Sequence, residues 1–109
     1  MMTKSESQIQ AEIMLAIAQA GHRVWRSNAG SVRNEQGRVI KLFPKGFPDL
    51  LGYRKEDGKF FCIEVKNDKG KLRDEQKKFA AFAESQPILY GVARNVEDAM
   101  GIVEGDTNV

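Results

Sequence analysis

The sequence predicts a single mixed α/β domain, one sheet flanked by helices. Three observations carry that prediction. Ile9, Ile13, Ala16, Ile17 and Ala20 recur at helical spacing near the N-terminus. Lys59–Lys66 (KFFCIEVK) is a dense apolar run rich in aromatic and β-branched residues, as strands are. Helical spacing then returns over Leu72–Glu84, ahead of a second apolar run at Ile88–Ala93. A chain of 109 residues has room for one domain with a real core.

The first helix spans Ser5–Ala20, with Ser5 and Gln8 as a capping box and Gly21 as its stop. His22–Ser27 and Gly37–Phe43 follow as strands, separated by an Asn-, Gly- and Ser-rich loop over Asn28–Gln36. His22, just past a helix stop, is placed at the surface, and Trp25 in the core. Pro44 and Pro48 bracket an extended, exposed segment. Asp49–Arg54 is a short strand joined to Lys59–Lys66 through a turn at Lys55–Gly58. Leu72–Glu84 is the second helix, Ile88–Ala93 an interior strand and Val96–Val103 a closing helix. The expected order is α-β-β-β-β-α-β-α. Residues 104–109 are expected to fray.

Composition excludes several function classes. One cysteine, Cys62, rules out a disulfide scaffold or a Cys-based zinc site. One histidine rules out His-pair chemistry. No run approaches a membrane span, and Met1–Glu6 is not a secretory leader. A reducing cytoplasm is the expected compartment. The net charge of +2 hides an asymmetry. Residues 21–48 hold Arg23, Arg26, Arg33, Arg38, Lys41 and Lys45 against Glu35 alone, a local +5, whereas residues 97–109 hold four acids and no base. A basic segment of that kind suits phosphates. Arg26, Asn28, Arg33 and Lys45 are its candidate DNA contacts.

Alternation along Lys59–Lys66 puts Phe60, Cys62, Glu64 and Lys66 on one face. An interior strand seldom ends in opposite charges without a reason. A Lys55–Gly58 loop sets Asp49 opposite Glu64, and an Asp57-Gly58 loop sets it opposite Lys66; either keeps the three together. A three-residue loop would set Asp49 opposite Val65 and break the cluster. Two carboxylates with an ammonium group suit a hard divalent cation, Mg²⁺ or Mn²⁺, that polarises a phosphodiester and activates water. Lys66 would orient that water or stabilise charge on phosphorus. The competing explanation is a structural Glu64–Lys66 ion pair beside an unrelated Asp49.

Gly46-Phe47-Pro48-Asp49 followed by Ile63-Glu64-Val65-Lys66 resembles the PD-(D/E)xK nuclease signature. Within that superfamily the chain resembles the small stand-alone VRR-NUC domains. Further pieces carry the likeness in order: Ser5-Glu6 with Gln10, Val24-Trp25-Arg26 with Asn28 and Gly30, Lys45 to Leu50, Glu64-Val65-Lys66, and Gln76. They run from residue 5 to about residue 93, most of the chain. The resemblance implies that Asp49 and Glu64 are metal ligands, joined by the Val65 carbonyl, with Lys66 as catalytic lysine. An acid of the first helix would complete the set. Glu6 lies about 35° from the centre of the apolar face and Glu12 about 85°, so Glu6 is preferred. Gln76 would support a ligand or a water beside the site. Arg73 stands where the family commonly has a Ser or Thr cap.

The resemblance further implies a Mg²⁺- or Mn²⁺-dependent DNA endonuclease acting on branched, four-way-junction-like DNA. Two copies would be needed to cut two strands symmetrically, hence a homodimer. A bare nuclease domain of this size fits a phage or mobile element. Two alternatives stand beside it. One is a non-catalytic nucleic-acid-binding module; the other is a small repair or restriction-type nuclease on ordinary duplex.

Overall fold

A computed structural model describes residues 3–29, 31–41 and 43–105. It is a mixed α/β domain with helices on both faces of a four-stranded sheet. The first helix, α1 (Glu6–Gln19), starts at Ser5, whose side chain accepts the Gln8 N–H. It stops at Gly21, φ +97°, where the Gly21 and His22 amides bond back to Ala18 and Ile17. Ile9, Ile13 and Ile17 are buried along its inner stripe. Each contributes about 1.5–3 kcal/mol by leaving water.

Six strands follow: β1 (Arg23–Arg26), β2 (Ser31–Arg33), β3 (Val39–Lys41), β4 (Leu50–Tyr53), β5 (Phe60–Val65) and, after α2 (Asp74–Glu84), β6 (Leu89–Ala93). Helix α3 (Val96–Glu104) closes the fold. The main sheet has the order β1-β4-β5-β6. Its first three strands are antiparallel, and α2 carries the chain over to the parallel β6. Leu50, Phe61, Ile63 and Val65 line one face and pack with α1 and α3 into the core. Helix α2 packs on the opposite face, against β6. Among the described residues, no helix is long and apolar enough to cross a membrane.

Several expectations are corrected. The Asn28–Gln36 segment is not all loop, for β2 lies inside it and pairs with β3 as a separate two-stranded sheet. Its turn is built by Asn34, whose side-chain oxygen accepts the Gln36 and Arg38 amides, and by Gly37 at φ +81°. The order therefore gains one strand, α-β-β-β-β-β-α-β-α. β6 is an edge strand, not an interior one; its apolarity comes from α2 and α3 on its two faces. Helix α2 begins at Asp74 rather than Leu72. The tail does not fray at 104: Glu104 ends α3 and bonds His22 Nε2 at 2.8 Å. Residues 106–109 lie outside the described ones. His22 is buried, not at the surface, because its Nδ1 also accepts the Lys55 amide at 3.0 Å.

The β4–β5 hairpin is locked by a pair that sequence reading passed over. Arg54 is buried, and its guanidinium grips both Asp57 oxygens, at 3.1 and 2.6 Å, and the Val103 carbonyl at 3.0 Å. The Arg54 hydrogen bond, then the Lys59 amide, hold the Asp57 carboxyl down at about 2 against an ordinary 3.8. A carboxyl lowered on folding adds stability above its unfolded pKa and loses it as pH falls through the folded one. Asp57→Asn is therefore expected to melt below the wild type at neutral pH, with the gap closing between about pH 4 and pH 2. Melting curves against pH measure this; a gap that stays constant to pH 2 contradicts it.

Candidate active site

The site is built by the hairpin register. Leu50 pairs with Ile63 and Tyr53 with Phe60, so the loop is Lys55–Gly58. One step beyond Leu50, Asp49 stands opposite Glu64, and the Asp49 and Glu64 carboxyl groups share a hydrogen bond. Asp49 Oδ2 also accepts the Val65 amide at 2.8 Å. The end of β1 braces this corner: the Ser27 amide bonds the Asp49 carbonyl at 2.9 Å, and the Ser27 hydroxyl bonds the Pro48 carbonyl at 2.6 Å. Asp49 is thus held on both sides by backbone.

Glu64 is 1 % exposed, and its Oε2 is buried without a hydrogen-bond partner. Burial first, then the hydrogen bond that the Glu64 carboxyl donates to Asp49 and the Asp49 charge, push its carboxyl up to about 9; Lys66 and Arg73 pull the other way. Two facing carboxyls with an orphan buried oxygen are a costly arrangement for a fold and a suitable one for a hard cation. Beside them the Tyr90 hydroxyl is buried without a partner, and burial followed by the Glu64 charge raises it to about 12. Cys62 is a buried core thiol raised to about 12, chiefly by burial.

Lys66 is buried at the end of β5, its amide bonded to the Ala93 carbonyl at 3.1 Å. Glu6 is half-buried near it. A Cβ placed on Gly70 would meet Glu6 Oε2 at 2.8 Å and Lys66 Cδ at 3.2 Å, so the absence of a side chain at Gly70 lets these groups approach. Glu12 is drawn off by Lys4, at 2.9 Å. Among the described residues no three His, Cys, Asp or Glu side chains gather closely enough to hold a metal ion, so Glu6 does not close a carboxylate triad with Asp49 and Glu64.

A cleft of about 240 Å³ opens over Asp49, lined among others by Gln10, Arg26, Asn28, Lys45, Arg73 and Gln76. Three predicted DNA contacts, Arg26, Asn28 and Lys45, therefore converge. Arg33 does not: it sits on the β2–β3 hairpin, bonded to the Gly37 carbonyl at 2.7 Å. Asn28 holds φ +51°, which Asn tolerates better than most side chains. Gln76 is buried, and its Oε1 accepts the Arg73 amide at 2.8 Å, capping α2 where the expected Ser or Thr is missing. That bond leaves the Gln76 NH₂ end as a donor. Arg73 and Gln10 carried no assigned role; Gln10 lies one helical turn after Glu6, and that spacing was the available signal. Trp25 is corrected outright: it is 52 % exposed and lies on Tyr53, ring centroids 6.2 Å apart.

Comparison with known proteins gives one result. The family model of the VRR-NUC domain matches residues 4–97, spanning α1 to the first turn of α3. Among curated proteins and among solved structures, nothing matches.

Proposed function

Since the chain belongs to the VRR-NUC domain family of the PD-(D/E)xK nuclease superfamily, we propose that it is a Mg²⁺- or Mn²⁺-dependent endonuclease cutting branched DNA as a homodimer. Nuclease function follows from the family. The observation that carries the finer reading is the buried Asp49–Glu64 pair with its orphan Glu64 oxygen, a donor set that suits a hard divalent cation. Such a cation would supply a Lewis acid for the phosphodiester and lower the pKa of a water.

Asp49 and Glu64 would hold the ion. A residue in an extended strand turns its N–H and C=O to the same flank, so the Val65 carbonyl lies on the Asp49 side and can join them. Glu6, half-buried beside Lys66 under the bare Gly70, would be the further acid from α1, although it does not gather with Asp49 and Glu64 in this structure. Lys66 orients the attacking water and offsets charge developing on the phosphate oxygens. The Gln76 NH₂ group, fixed by the Arg73 amide, donates to a phosphate oxygen or to a water. Arg26, Asn28 and Lys45 bind the strand where it enters the cleft.

The homodimer rests on symmetry: one 12.2 kDa protomer has one such site, and paired cuts in a junction need two. The test incubates a four-way junction and a linear duplex with Mg²⁺ and compares wild type with Asp49→Ala and Lys66→Ala. Both variants are expected to lose about 10³-fold or more in rate, with the junction cut faster than the duplex by wild type. Undiminished cleavage by both variants rejects the site.

A further inference from the structure

We infer that Trp25 and Tyr53 form a stacking platform for unpaired nucleobases, about two nucleotides from the phosphate being cut. The inference rests on the nuclease reading and narrows its substrate class to DNA with unpaired bases beside the cut. Alternation places Trp25 and Arg23 on one face of β1, and Asp49, Leu51 and Tyr53 on the same face of β4. Trp25 pairs directly with Leu51, so Asp49 is its diagonal neighbour at about 7–8 Å. That distance is about two rises of a stacked strand at about 3.4 Å each.

The face is open by construction. Helix α2 packs against β6, and α1 and α3 cover the opposite face. Among the described residues no helix packs on this face of β1 or β4. Trp25 is 52 % exposed and Tyr53 43 %. The two rings lie side by side, centroids 6.2 Å apart, as one exposed aromatic patch.

Charge and continuity choose the occupant. Arg23 shares the face of Trp25 and is exposed, and Asp49, diagonal to Trp25 on that face, lines the cleft together with Arg26 and Lys45. The aromatic surface therefore runs into the phosphate-binding one. Aromatic rings with a guanidinium group beside them and a basic cleft at one end suit a base and its neighbouring phosphates. In intact duplex the bases are already stacked on each other, so only an unpaired base can use the platform.

Trp25 is the chain's one tryptophan, so its emission reports the platform directly. Metal-free protein is titrated with a duplex bearing an unpaired thymidine flap, with the same duplex blunt-ended, and with a short oligothymidylate. Bound fraction is followed independently by anisotropy of labelled DNA. The flap and the oligothymidylate are expected to quench Trp25 at equal bound fraction, and the blunt duplex to leave it nearly unchanged. Trp25→Ala should bind the flap about tenfold more weakly and the blunt duplex within about twofold of wild type, and Trp25→Phe should recover most of the loss. Equal quenching by flap and blunt duplex, or equal weakening of both by Trp25→Ala, overturns the platform. So does an emission change with protein concentration alone, which assigns the face to a second copy. Selective quenching by a protein that cuts nothing in Mg²⁺ or Mn²⁺ supports the platform and rejects the nuclease reading instead.

Discussion

Glu64→Gln is expected to abolish cleavage while making the metal-free protein more stable. Loss of one carboxylate from the Asp49–Glu64 pair should lower the rate by about 10³-fold or more. The stability change has the opposite sign because Glu64 is buried, lacks a partner for Oε2 and faces Asp49. Its folded carboxyl titrates at about 9 rather than 4.5, so the folded protein holds a proton that the unfolded chain releases. Stability therefore falls as pH rises from about 4.5 to 9. Gln carries no such liability. At about pH 8 the variant should be more stable by about 1–2 kcal/mol, or about 5–10 °C in Tm, and the advantage should vanish below about pH 4.5. Melting in chelator across that range measures it. A variant less stable than wild type at pH 8 would show that Glu64 is a structural partner and not a strained ligand.

Gly46→Ala is expected to be strongly destabilising and to damage the site as well. Gly46 has φ +92°, and a Cβ there would stand 2.7 Å from both the Cβ and the carbonyl oxygen of Glu75. The obstacle includes backbone of α2, which cannot swing aside as a side-chain tip would. The left-handed conformation and the overlap together should cost about 2–4 kcal/mol, a fall of about 10–20 °C in Tm. Cleavage should fall further than stability alone requires, because Lys45 and Asp49 flank the displaced turn. Gly37→Ala is the matched control: φ is +81° but nothing lies within 4 Å, so only the conformational cost of about 1–2 kcal/mol applies. Equal losses for the two variants would contradict the close packing of Gly46 on α2.

The Asp49–Glu64 corner was legible because its information is local. The charged end of an apolar strand, a Pro-Asp pair and a hairpin turn of readable length sufficed to set Asp49 opposite Glu64, and only the turn parity stayed open. The helical stripe of α1 was legible for the same reason: Ile9, Ile13 and Ile17 repeat along one turn-spaced line. Failures fell where a partner lies far along the chain. His22 is buried by Glu104 and the Lys55 amide, neither of which a glycine stop before it foretells. Trp25 has the side chain of a core residue, but its strand turns it to the half of the sheet that α2 does not reach. β2 escaped notice because three residues in a polar setting show too little alternation, and Asn34 supplies the turn through side-chain bonds that composition alone reads as loop. Ile88–Ala93 shows that apolarity measures coverage of two faces, not a central place in the sheet.

The cation site is tested most directly by calorimetric titration of the metal-free protein with Mn²⁺. Wild type and Glu12→Gln should both show saturable binding, since Glu12 is held away by Lys4. Asp49→Ala and Glu64→Gln should each lose it. Binding that persists unchanged in both of those variants would mean that the buried carboxylate pair is not where the metal goes.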